Sequence, residues 1–342
     1  MITAKRITFL LLSAFILFTH LSYSQLTWQN VDSLFQPLPS SVHVYKTTDP
    51  LDGKPNVAYY VEADLNDRRL VFTADTALNR RLTPSQFRTK EYDPERFYEH
   101  MNFPLVVVNC TFFSFATSQN LNAVVKDGRL VGYNIHSIAG KGKDTLTYRH
   151  PFGSAIGISK KRKADVAWLL TDSLLKLPFA SQTPYMVLRD SVADPGYHYF
   201  KSNHPLTPEI APLKFPFAKW KMQTAVGGGP VLLQNGEIRI TNNEELKFAG
   251  KAINDKHPRT AMGYTKGGKL IILVIEGRRP GIAEGATLTQ EAKMLKDIGC
   301  IEALNLDGGG SSCMLINGKE TIKPSDKEGQ RAVPAVFIVK SR

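Results

Sequence analysis

Cysteine is scarce: Cys110, Cys300 and Cys313 are the only three in 342 residues. An odd number permits at most one bridge, so this is no disulfide scaffold, and no pair has the spacing of a zinc-ligand motif. Beyond residue 24 no apolar run approaches the roughly 20 residues that a membrane-spanning helix needs. Acidic residues are in deficit, 31 against 43 Lys and Arg, for a formal net charge of +12. The basic excess is scattered through segments such as 160–163, 214–221 and 247–256, as on a solvated surface. No basic stretch interleaved with aromatics is present, which argues against nucleic-acid binding. Neither glycine cluster is followed by Gly-Lys-Ser/Thr, which excludes a P-loop. No Gly-x-Ser-x-Gly elbow exists for a serine hydrolase. Cys110 and Cys313 lie outside any nucleophile motif, and a role as small buried apolar residues is favoured.

What is present begins with an export pattern. Lys5 and Arg6 precede an apolar run from Ile7 to Phe18, and small residues at Ser22 and Ser24 precede Gln25. This predicts a secretion signal over 1–24 and export to the periplasm or outside the cell, with no transmembrane segment after cleavage. The remaining 25–342 are expected to form a single domain with a loop-rich insertion near 171–222. Alternating apolar residues predict strands at 42–45 and 56–64. Asp127-Gly128, Asn235-Gly236 and Asn317-Gly318 predict hairpins with primed turns. With one strong helix and no fixed-period repeat, the expected class is α+β, β-rich with mixed or antiparallel sheets, many hairpins and few helices.

The most informative stretch is 287–315. Thr287 and Gln290 have the spacing of a capping box, and Leu288, Ala292, Leu295 and Ile298 recur as on one helix face. Gly299 ends the helix, and an apolar strand follows to Asp307. Gly308, Gly309 and Gly310 then demand a turn, with amides expected to face a cleft and bind an anionic or polyhydroxylated ligand. Other apolar strands end in the same way, one at Asn109-Cys110-Thr111 and another at Glu276-Gly277-Arg278. A second glycine cluster, 227–229, and the segment His257-Pro258-Arg259 complete the constellation.

The ordered set HPRTAMGY, VIEGRRPGIAEGATLTQEAKMLKDIG, ALNLDGGGSS, INGK and KPSDKEGQRAV resembles the phosphodiester glycosidase family. The chain departs from the family's common pattern in having Cys110-Thr111 within the Asn109 motif and Glu276 where Asp is usual. The resemblance implies an exported hydrolase that cleaves a sugar-1-phosphodiester, of the N-acetylglucosamine-1-phosphodiester type, to free sugar and phosphomonoester. Its partner would be a carbohydrate phosphodiester or phosphorylated glycan. A non-catalytic carbohydrate or wall-polymer binder on the same scaffold is the alternative.

For this reaction Asp307, Glu276, Arg259 and His257 are the catalytic candidates. One of the two carboxyl groups would act as nucleophile or water-activating base, and the sequence leaves open which. Arg259 offers a planar fork to phosphate, and His257 a hydrogen bond or a proton. Substrate-binding candidates are Asn109, Thr111, Gly228, Gly229, Arg278, Thr287, Asn305, Gly308, Gly309, Gly310 and Ser311. No cofactor is expected; whether a divalent cation joins Asp307 and Glu276 is left open, because sequence spacing gives no coordination geometry.

Overall fold

The structure, a computed structural model, describes residues 25–78, 80–90, 103–139, 148–174, 176–184 and 217–342. The expected signal lies outside the described residues, as do residues 185–216 of the expected insertion. Among the described residues no helix is long and apolar enough to cross a membrane.

Side-chain alternation dictates the layers. In the strand Lys269–Ile275, Leu270, Ile272 and Val274 enter one core and Ile271, Leu273 and Ile275 another. A strand apolar on both faces must be covered on both. The helix Leu288–Ile298 covers one side, contributing Leu288, Ala292 and Leu295 to the cluster with Ile271 and Leu273. On the other side lies a central core that three sheets share. Val106 and Val108 enter it while Val107 turns outward, and Phe337 and Val339 enter it while Val336 and Ile338 turn outward.

The eight-stranded sheet runs Gln29–Asn30, Val42–Thr47, Ala58–Asp64, Lys269–Ile275, Arg259–Thr265, Cys300–Asn305, Val231–Gln234 and Glu237–Ile238 in spatial order. The seven-stranded sheet is centred on Ala164–Leu170, Gly153–Ser159 and Met222–Gly227. The five-stranded sheet holds Val106–Asn109 between Met314–Ile316 and Ala335–Ser341. Every strand pair among the described residues is antiparallel. The expected β-rich α+β class holds, with its sheets antiparallel. Asp127-Gly128, Asn235-Gly236 and Asn317-Gly318 all sit at positive φ, as primed turns require. The capping box of Thr287 and Gln290 is formed in both directions, and Gly299 closes the helix at φ 98°.

One buried polar group ties the eight- and seven-stranded sheets together. Glu245, 2% exposed, ends the short helix Asn242–Glu245. Its carboxyl oxygens accept from Ser154 N (3.3 Å), Ser154 Oγ (2.6 Å) and Trp168 Nε1 (3.1 Å) on one side. On the other they accept from Val231 N (3.0 Å) and Thr241 Oγ1 (2.7 Å). Removing the carboxyl would leave these donors desolvated without an acceptor, each a cost of about 1–3 kcal/mol. Glu245→Ala is therefore expected to lose on the order of 3 kcal/mol or more, lowering Tm by roughly 10 °C in thermal unfolding. A change of less than about 2 °C would show that the network carries little of the stability.

Candidate active site

The strand Cys300–Asn305 delivers Asp307 to one end of the eight-stranded sheet. Asp307 N donates to Cys110 O (2.8 Å), and Asn109 Nδ2 donates to Asp307 O (2.5 Å). The Asn109 Oδ1 accepts from Cys313 N (3.1 Å) and Thr260 Oγ1 (3.0 Å), and Thr260 Oγ1 is 3.1 Å from Ser312 Oγ. Asn109 is fully buried with both ends of its amide engaged. It was a candidate substrate ligand; its geometry makes it the clamp that fixes Asp307.

Asp307 itself is half-buried. Burial pushes its carboxyl up to about 7, against the pull of Ser311, Arg331, the Gly308 amide and Lys247. An acid poised near neutrality beside fixed cations is the pattern of a reactive group. Two of those cations escaped the sequence reading. Lys247, in a segment read as solvated surface, is lowered by burial, while Glu245 and Asp307 pull it back up. Its ammonium lies 5.1 Å over the ring of Phe112, which meets Phe248 edge-on at 6.0 Å. Arg331 forms a two-pronged pair with Asp326 (2.7 and 2.8 Å) and reaches Ser311 Oγ at 3.4 Å.

Of the glycine amides expected to face a cleft, those of Gly308 and Gly309 are already engaged. Gly309 N donates to Pro258 O (2.8 Å), the Gly308 amide serves Asp307, and Ser311 N and Ser312 N return to Gly308 O and Gly309 O at 3.2 Å each. In the second cluster Gly228 N donates to Ser154 O (3.0 Å) and Gly229 N to Asn305 O (2.7 Å). The glycines are needed for close approach instead. A Cβ on Gly308 would come within 2.8 Å of Pro258 O, and one on Gly310 would overlap the Arg331–Asp326 pair. At Gly229, with φ +113°, it would overlap the Glu245 carboxyl.

The other candidates divide by where their polar atoms point. Arg278 is exposed, in the left-handed region at φ 61°, with Nη2 placed 3.0 Å from where a Gly309 Cβ would stand. Burial, then Arg259 and Arg278, push the half-buried His257 below its usual value, so it is neutral at pH 7. Arg259 is 3% exposed, on the helix side of its strand; it donates to Ala286 O (2.9 Å) and Asp255 O (3.1 Å), 5.7 Å over Phe248. Its fork is thus committed to carbonyls and not presented openly to phosphate. Glu276, 4% exposed, pairs with Arg279 and accepts from Lys323 N (3.0 Å), so its carboxyl is not joined to Asp307. The Thr287 hydroxyl caps the helix. Asn305 donates to Gly229 O (2.8 Å), and Thr111 is buried beside the Cys110 thiol. Ser311 is buried beside Asp307 and Arg331. Cys110, Cys300 and Cys313 are buried and unpaired, and burial pushes each thiol up, away from the thiolate a nucleophile needs. Among the described residues no cluster of three or more His, Cys, Asp or Glu is placed to hold a metal.

The family model for phosphodiester glycosidases matches residues 102–340. The chain belongs to this family. Over 28% of its length it is 31% identical to the N-acetylglucosamine-1-phosphodiester alpha-N-acetylglucosaminidase of Mus musculus and 33% identical to that of Homo sapiens. It spans only about a fifth of the length of these relatives (20% in each case). Among solved structures, the catalytic domain of the zebrafish enzyme of the same name aligns with TM-score 0.54 and 22% identity, covering 93% of this chain and 89% of that one. A hypothetical protein from Synechocystis aligns with TM-score 0.56 and 14% identity, covering 92% and 64%. At these identities the structural matches establish the fold that this phosphodiester glycosidase family member shares.

The upward displacement of Asp307 has a thermodynamic sign. Between its unperturbed value of 3.8 and about 7 the folded chain holds a proton that the unfolded chain releases, so stability falls as pH rises through this window. Asp307→Asn removes that penalty. The variant is expected to match wild type below about pH 4 and to exceed it increasingly up to about pH 7 in denaturant unfolding. A stability difference independent of pH would contradict the placement of the carboxyl.

Proposed function

We propose that this protein hydrolyses a sugar-1-phosphodiester, of the N-acetylglucosamine-1-phosphodiester type, releasing free sugar and a phosphomonoester, and that it does so after export. Export rests on the N-terminal pattern alone. The carrying observation for the chemistry is a half-buried carboxyl raised to about 7 that feels the charges of Lys247 and Arg331.

The substrate phosphate is an anion before and after the reaction, so the binding task is electrostatic. Lys247, half-buried and acting on Asp307, is the first cation to receive the phosphate. Arg278, lying against Gly309, can clamp a second phosphate oxygen. At the anomeric carbon, Asp307 either adds directly, forming a glycosyl ester that water then hydrolyses to free sugar and the regenerated carboxyl, or removes a proton from the attacking water. The bond from that carbon to the bridging oxygen breaks, and its electron pair leaves with the phosphate. A phosphomonoester is a weak base, so little acid assistance is needed. In this reading Glu276 shapes the site by anchoring Arg279 and the chain at Lys323.

Asp307→Asn is expected to abolish sugar release from an aryl sugar-1-phosphodiester while the protein remains folded. Retention of wild-type turnover would remove Asp307 from the chemistry. Lys247→Met is expected to lower kcat/KM for phosphodiesters by roughly tenfold to a hundredfold and to affect an uncharged aryl glycoside much less. It should also move the Asp307 limb of the pH–rate profile upward, because a cation that favours the ionised carboxyl is gone. Equal losses on both substrates, with an unmoved limb, would assign Lys247 to structure.

A further inference from the structure

A cavity of about 280 Å³ is lined by Lys247 and by Phe112, the ring that the Lys247 ammonium covers. Phe112, Leu121, Ile135, Ile138 and Leu246 give it apolar walls. Three polar side chains also line it, and each is already engaged. Asn122 accepts from Phe112 N (2.9 Å) and donates to Gly228 O (3.3 Å). Asn134 accepts from Ala123 N (2.8 Å) and donates to Gly153 O (3.1 Å) and Leu169 O (3.2 Å). Glu245 accepts the five bonds already described. Among the described residues, the remaining charged side chain of the wall is Lys247, whose charge acts on Asp307.

This wall discriminates between classes of occupant. A sugar ring placed here would surrender the water on its hydroxyls and find engaged partners, a cost of about 1–3 kcal/mol for each group left unpaired. An alkyl chain loses nothing comparable and gains from burial. We infer that the cavity takes an alkyl group carried on the phosphate, so that the preferred substrate is a sugar-1-phosphodiester whose second ester is an alkyl chain. The phosphate then lies at Lys247, with the sugar on the Asp307 side and the chain on the Phe112 side. The order in space matches the order of groups along such a molecule: sugar, charge, hydrocarbon. This assignment rests on the proposed reaction for its sugar but not for its chain.

The test uses the full chain and the alkyl phosphates methyl, butyl and hexyl phosphate, with binding followed by calorimetry. Affinity is expected to rise by roughly threefold to fourfold for each added methylene until the cavity is filled. Ile135, 39% exposed, tolerates replacement without loss of the core. Ile135→Asn, which brings a neutral amide to the wall, and Ile138→Trp, which occupies the space, should each flatten the rise from methyl to hexyl phosphate, with methyl phosphate in the same variant as the reference. A flat series in the wild-type protein, or one that persists in both variants, overturns the inference. If alkyl sugar-1-phosphates are cleaved, their kcat/KM should climb with chain length in step with binding. A rising binding series with no turnover of any sugar-1-phosphodiester would overturn the proposed reaction and leave the alkyl cavity standing.

Discussion

The structure turns on the amide of one buried asparagine. Asn109 stands where the five-stranded sheet meets the eight-stranded one, and its two ends hold Thr260, Cys313 and the backbone of Asp307. Each partner comes from a segment far away in the chain. An amide in that position has to be satisfied once it is removed from water, and satisfying it brings the segments together. The turn Gly308–Gly310 follows from this, because Asp307 leaves the clamp already directed across Pro258 and Arg259. What looks in sequence like a set of unrelated strand ends is one joint.

Around that joint the charges are arranged unequally. Asp307 is half-buried and its carboxyl is held near neutrality by desolvation. Two other acids have cationic partners of their own, Glu276 in Arg279 and Asp326 in Arg331. Glu245 is saturated by neutral donors. Lys247 stands between two carboxyl groups, Glu245 and Asp307, and its charge acts on both. Behind Arg259 sits Glu291, fully buried on the covering helix, with both oxygens unpartnered and burial pushing it up to about 8. A group held in that way is largely uncharged at pH 7 and leaves the guanidinium its full charge.

Much of the fold was legible because it follows from local rules. Period-two patterning marked the strands, and paired residues of positive φ marked the hairpins. The helix was marked at both ends, by Thr287 with Gln290 and by Gly299. The position of Asp307 was legible too, since three glycines after an apolar strand leave few alternatives. The function of those glycines was not. Sequence shows that a Cβ is missing but not what would collide with it, and here the neighbours are Pro258 and the Arg331–Asp326 pair. Lys247 and Arg331 were hidden for a related reason. Each lies in a segment with ordinary surface composition, and only the tertiary path brings it to the carboxyl. The partners of Glu276 were hidden too: an acid at the end of a buried strand is visible in sequence, but not that Arg279 and the Lys323 amide hold it.

The missing side chain at Gly310 has a mechanical meaning. Because the guanidinium of Arg331 and the carboxyl of Asp326 fill the space above that residue, the turn bearing Asp307 and the loop entering the last strand are nested into one another. Neither can slide without the other. The loop leads directly into Ala335–Ser341, a strand hydrogen-bonded on both flanks in the five-stranded sheet, so the turn inherits the rigidity of a sheet centre although it is itself only a short bend. A turn stiffened from below in this way keeps its geometry without needing a ligand to impose it.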